Sequence, residues 1–160
     1  MASNPGPLAP QTGPKRNHCI EFYDAFEQLK VPGGTRHIRT MGSDLVRNLN
    51  AACDQLHGEW MFLLGDDHTF DPDILLRLLS HRLPVICALN IARQAPFRPL
   101  FFRGKLAEMP VQIDWDEIPV GHGLWYLPAD LHIGNNGLLI NRAVLDKIEK
   151  PIWRAGQVNP

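Results

Sequence analysis

Apolar positions in this chain come in short blocks whose spacing switches between that of a helix and that of a strand. Ile20, Phe22, Tyr23, Phe26 and Leu29 recur at helical spacing and predict a helix over 20–29, ended by the breaker Val31-Pro32-Gly33-Gly34. Residues 35–40 suit a short strand. Ser43 or Asp44 can then cap a helix carrying Leu45, Leu49, Ala52 and Leu56 on one face, with Gly58 as its end. The block Trp60-Met-Phe-Leu-Leu64 is too short for an independent helix and too uniformly apolar for a half-exposed strand. It predicts a central strand covered on both faces.

Asp71-Pro72-Asp73 has the form of a helix start, with Asp71 as cap, Pro72 at the first helical position and Asp73 against the positive end of the dipole. Ile74, Leu75, Leu78 and Leu79 supply the apolar face of that helix. Leu83-Pro84 breaks the chain, and 85–89 is a further apolar strand. Residues 92–117 alternate prolines, aromatics and charges, which predicts an extended excursion with edge strands near 100–102 and 111–113. A strand over 137–140 follows, and Asn141 can cap a last helix reaching Ile148. Strands alternating with helices predict an α/β domain with a mainly parallel open sheet flanked by helices. Residues 1–17, with Pro5, Pro7, Pro10 and Pro14, predict an irregular arm ahead of a single domain over 18–160.

The chemistry stands at the end of the 60–64 strand, where Gly65-Asp66-Asp67-His68 follows directly. Ligand crevices of open α/β sheets lie at the carboxyl ends of strands. Adjacent carboxylates repel unless a cation neutralises them, and hard oxygen ligands suit Mg²⁺ or Mn²⁺. A divalent ion on a nucleotide diphosphate is the reading that follows. Gly-Asp-Asp also marks the palm hairpin of viral RNA polymerases, but that reading requires a second strand immediately after the turn. Pro72 inside a helix-start pattern argues against one, and 160 residues leave no room for fingers and thumb.

The segment from Asp44 to Leu75, holding Arg47-Asn48 and Gly65-Asp66-Asp67-His68 before Asp71-Pro72-Asp73, resembles the centre of a GT-A glycosyltransferase close to family 2 and its phage and bacterial relatives. A second patch, from Ile133 through Gly134-Asn135-Asn136-Gly137 to Ile148, resembles the later Gly-rich strand-to-helix segment of that fold. Together the two cover roughly 31–153. The resemblance implies sugar transfer from a nucleotide-diphosphate sugar, with inversion at the anomeric carbon. It implies Arg47 and Asn48 on the nucleotide, Asp66 on the ribose or sugar, and Asp67 holding Mn²⁺ or Mg²⁺. His68 is either a further ligand or a polar loop residue, and Asn135, Asn136 and Gly137 form a flexible wall of the acceptor pocket.

Two departures qualify these implications. Many relatives carry three acidic residues before the His, and Gly65 stands where the first would be. Such enzymes also place an acidic base, often a Glu-Asp pair, beyond the Gly-rich segment. This chain stops at Val158-Asn159-Pro160 without one, so the expectation is a truncated frame, a fragment, or a minimal relative that lost or moved its base. Asp114, Asp116, Asp130, His122 and His132 are the substitutes, and Trp115, Trp125 and Tyr126 could stack on a sugar. A binding module without turnover and a metal-dependent nucleotidyltransferase are the competing functions.

Each of these residues also has a plainer reading. Asp66 and Asp67 could be a solvated strand-end loop, Arg47 a solvent-facing helix residue and Asn48 an anchor for the adjoining loop. His68 could merely bond a carboxylate, residues 134–137 could be a simple turn because Gly and Asn tolerate positive φ, and the aromatics could be core.

Composition narrows the setting. A formal net charge of −1 offers no overall electrostatic attraction to nucleic acid or membrane. Cys19, Cys53 and Cys87 are widely spaced and odd in number, which fits reduced thiols better than disulfides or zinc. No apolar run approaches the ~18 residues of a membrane span, and the Pro-rich start does not fit a signal peptide. A soluble cytoplasmic protein that neither inserts in membranes nor binds nucleic acid is the expectation.

Overall fold

The computed structural model describes residues 20–42, 44–92, 94–104, 110–119 and 123–154. The arm expected over 1–17, Cys19, the Ser43 cap, His122 and the terminal 158–160 lie outside them.

Among the described residues four helices and six strands follow in order: α1 (Ile20–Glu27), α2 (Leu45–Asp54), β1 (Trp60–Leu63), α3 (Ile74–Ser80), β2 (Val85–Cys87), β3 (Phe101–Arg103), β4 (Val111–Gln112), β5 (Leu131–Ile133), β6 (Leu138–Asn141) and α4 (Arg142–Leu145). A 3₁₀ turn at Trp115–Glu117 separates β4 from β5. The helix expected over 20–29 is α1, and Asp44 caps α2 by accepting a hydrogen bond from Arg47 N–H at 3.0 Å. Asn141 caps α4 in the same way through Ala143 N–H at 2.9 Å, although α4 ends well before Ile148. No strand forms over 35–40, where Thr35 instead closes a turn onto the Pro32 carbonyl. Asp71 does not cap α3; its carboxylate accepts a hydrogen bond from Arg77 at 2.7 Å.

The sheet departs from the expected mainly parallel GT-A arrangement. The described residues form two three-stranded antiparallel sheets, ordered β1-β6-β2 and β4-β3-β5. The cause is one late strand. The order β1-α3-β2 is the strand-helix-strand alternation that reads as parallel, and β1 and β2 do run the same way, since each is antiparallel to β6. Between them lies β6, so the two never pair. The expected central strand β1 is an edge of its sheet, and β6 occupies the centre.

Burial follows this order. Leu139 of β6 is 0% exposed, whereas only Met61 is buried in β1. Alternation along β6 sends Leu138 and Ile140 to one face, against Met61, Leu145, and Cys53 and Leu56 from the α2 region. Leu139 points the other way, onto Leu75 and Leu78 of α3. Fully burying a leucine contributes about 1.5–3 kcal/mol, so this strand, helical on both sides, is the core's main anchor. Among the described residues no helix is long and apolar enough to cross a membrane.

Candidate functional site

The residues after β1 leave the sheet as a loop held from three directions. Phe70 packs edge-on against Phe22 of α1, with ring centroids 6.0 Å apart. Lys30 N–H donates to the Pro72 carbonyl at 2.7 Å, fastening the far end of the loop. On the sheet side, Gly137 N–H donates to the Leu63 carbonyl at 2.8 Å, and the Gly137 carbonyl accepts from Ala88 N–H at 2.9 Å. Gly137 sits at φ +66, and a Cβ there would fall 2.9 Å from that of Ala88, so both conformation and space favour glycine. The 134–137 turn is therefore built into the sheet end.

Within the loop, His68 Nδ1 lies 2.7 Å from Asp67 Oδ1. A carboxylate oxygen only accepts, so the distance assigns a proton to Nδ1. The Asn136 amide nitrogen is 2.9 Å from Nδ1 and 3.3 Å from Nε2. An atom that close to both ring nitrogens cannot lie in line with either, so the amide rests over the ring as an N–H···π contact. The Asn136 carbonyl accepts from the Asn90 side chain at 2.5 Å and from Cys87 Sγ at 3.4 Å. Asp66 is exposed, while Asp67 and His68 are half-buried.

His68, Thr69 and Gly137 line a cleft of about 940 Å³ that extends between the two sheets to Phe101, Trp125 and Tyr126. Its wall is largely apolar, formed by side chains such as Phe62, Ile74, Ile86 and Leu124. Arg77, on the same wall, is held by Asp71 at 2.7 Å and Asp73 at 3.4 Å. Trp125 packs edge-on against Phe101 at 5.6 Å, whereas Tyr126 is 78% exposed.

Arg47 and Asn48 line a different hollow, of about 490 Å³, with Arg39, Gly42, Asp44 and Gln55. Asn48 also anchors its loop, donating to the Gly42 carbonyl at 3.1 Å. Neither Arg47 nor Asn48 lines the cleft reached by His68.

Of the substitute bases, Asp130 receives a hydrogen bond from Arg103 Nε at 3.0 Å, and His132 Nε2–H donates to the Gly104 carbonyl at 2.6 Å. Asp114 lies 3.2 Å from Arg98 Nε, off line for a hydrogen bond. Arg103 also pairs with Glu117, and these two carboxylates hold its guanidinium above the ordinary arginine range, Glu117 contributing most. Trp115 is tied through Nε1–H to the Phe97 carbonyl at 3.0 Å, away from the cleft lining.

Among the described residues no three His, Cys, Asp or Glu side chains converge as a metal cage. Mg²⁺ is ordinarily held by one or two protein carboxylates, with substrate phosphates and water completing the shell. Asp66 and Asp67 are carboxylates of the kind such a half-site uses, and Asp67 is already bonded to His68. Asn90 carried no signal in the sequence, because its bond to Asn136 depends on the antiparallel return of β6. No family model, curated protein or solved structure matches this chain.

Proposed function

We propose that this chain binds a nucleotide-diphosphate sugar together with Mn²⁺ or Mg²⁺ and transfers the sugar to an acceptor lodged in the cleft between the sheets. One observation carries the reading. The loop that carries Asp66 and Asp67, braced by α1 and by the 134–137 turn, sets the next residues, His68 and Thr69, into the lining of a cleft walled by apolar and aromatic groups. In this reading Asp67 holds the cation, Asp66 orients the ribose or sugar, and Arg47 and Asn48 serve the nucleotide from their separate hollow. The bond between the anomeric carbon and the diphosphate breaks, the electron pair leaves with the diphosphate, and the acceptor hydroxyl bonds to that carbon while its proton passes to water. A cation held by Asp67 would stabilise charge on the leaving diphosphate, a contribution of several kcal/mol. The apolar wall, with Arg77 already engaged by Asp71 and Asp73, favours a neutral acceptor with a hydrophobic or aromatic face.

A second reading, binding without turnover, is favoured by the engagement of Asp130 and His132 with other groups. Thermal unfolding with UDP, GDP, CDP and dTDP, each with Mn²⁺ or EDTA, tests the donor site. A nucleotide at 100 times its Kd adds ~2.7 kcal/mol, which is several degrees for a domain of this size. The expected result is a shift with one nucleotide that needs both Mn²⁺ and Asp67, and is lost in Asp67→Asn. No metal-dependent shift with any nucleotide overturns the proposal. Release of the nucleoside diphosphate on adding acceptor marks transfer, pyrophosphate marks nucleotidyl transfer, and binding with neither marks the second reading.

A further inference from the structure

Asn136 stands at the junction of three features: the loop after β1, the turn before β6, and the carbonyl contact to Asn90 and Cys87 after β2. Its carbonyl is fixed by Asn90, and its amide lies over His68, whose Nδ1–H reaches Asp67. Gly65 leaves the room: a Cβ there would lie 2.4 Å from Asn136 Oδ1. We propose that Asn136 is the positioning residue of the carboxylate loop. Its amide fills the vacant side of Gly65 and packs on the imidazole, so that Nδ1–H points at Asp67 and presents that carboxylate to the cation in one orientation. This assignment replaces an acceptor-wall role for Asn136. Its second half rests on the reading of Asp67 as the cation holder.

Outer partners that orient a ligating group typically change metal affinity by about 10–100-fold when removed. The test combines two readouts on the full chain, Asn136→Ala, Asn136→Ser, Gly65→Ala and Asn90→Ala. The first is the ring ¹⁵N–¹H correlation of His68 at a fixed pH without metal, which reports which nitrogen carries the proton. The second is Mn²⁺ affinity, from the loss of the free-ion electron paramagnetic resonance signal.

The parent is expected to show one Nδ1–H form. Asn136→Ala and Asn136→Ser should show mixed ring forms and bind Mn²⁺ about tenfold more weakly. Gly65→Ala, which drives the amide off the ring without removing it, should give the same ring signature. Asn90→Ala loosens only the backbone side of the turn and should keep the parent ring signals. Unchanged ring signals in folded Asn136→Ser and Gly65→Ala overturn the proposal, as does the same change in Asn90→Ala, which would mark a merely structural turn. Absence of Mn²⁺ binding in every protein counts against the functional reading alone, because the ring signals still decide the role of Asn136.

Discussion

Gly65 and Asn136 face each other across the open end of the sheet, and the amide of one fills the space a side chain on the other would need. A Cβ built on Gly65 falls 2.4 Å from Asn136 Oδ1 and 2.9 Å from Nδ2. Register produces this opposition. Leu63 pairs with Leu138 in the antiparallel ladder, so two further steps along each strand bring residue 65 opposite residue 136. The sequence pattern that leaves a glycine before two carboxylates therefore has a steric cause on the neighbouring strand.

Gly65→Ala is expected to destabilise the fold by about 1–3 kcal/mol, the usual cost of forcing atoms into a filled space. Asn136→Gly in the same chain should recover most of that loss, because the obstruction is the amide itself. Urea unfolding of the two single variants and the double variant completes the cycle. Additive losses would show that the two side chains do not compete for that space.

The centre of the main sheet gives a second expectation. Leu139 is 0% exposed and stands between β1 and β2 on the strand that both use. Leu139→Ala should cost about 2–5 kcal/mol, whereas Val111→Ala, at a position 70% exposed on an edge strand, should stay within about 0.5 kcal/mol. Equal urea midpoints for the two variants would count against β6 as the core strand.

Local elements were legible in the sequence because their causes are local. Asp44 and Asn141 are cap residues just ahead of helical runs, and both caps form. The uniform apolar block at 60–63 is a strand, and β6 lies within a residue of where the pattern puts it. The sheet was not legible, because pairing between β1 and β6 spans most of the domain and leaves no periodic trace. The helix between β1 and β2 suggested a parallel pair, and nothing in their residues announces that β6 will enter between them. Strand β5 escaped notice since Leu131-His132-Ile133 is too short to show alternation.

The site was legible to a similar extent. Gly65-Asp66-Asp67-His68 stood out in the sequence because two adjacent carboxylates directly after an apolar strand repel each other. Asp67 holding His68 is a neighbour contact that the sequence allows. Asn136 reaching His68 and Asn90 reaching Asn136 are long-range contacts set by the antiparallel return. Arg47 and Asn48, expected beside the carboxylates, instead line a separate hollow, since the helix bearing them packs on the opposite face of the sheet from α3.

Aromatic residues in the cleft separate folding from recognition. Trp125 packs against Phe101 at 5.6 Å, so Trp125→Ala should lower stability as well as acceptor binding. Tyr126 lines the same cleft but is 78% exposed, so Tyr126→Ala should leave the unfolding midpoint within about 0.5 kcal/mol of the parent. If acceptors use this wall, Tyr126→Ala raises the acceptor KM several-fold while nucleotide-dependent thermal shifts stay intact. An unchanged KM would remove Tyr126 from the acceptor side.

Cys87 makes the stability of the fold depend on alkaline pH in a defined direction. Burial pushes its thiol up from 9.0 to about 11, because the thiolate would be formed away from water. Between those values the unfolded chain has released the proton while the folded chain retains it. Fewer protons on the unfolded state mean that stability falls as pH rises. The contribution is fully present below about pH 8 and is lost through about pH 11, amounting to roughly 3 kcal/mol across the window. Cys87→Ser carries no thiol to titrate, so its stability relative to the parent should improve steadily over that range while the difference stays flat below pH 8. Urea unfolding at pH 7, 8, 9 and 10 reads the difference directly, and a gap independent of pH would show that Cys87 ionises as readily in the folded chain as in the unfolded one.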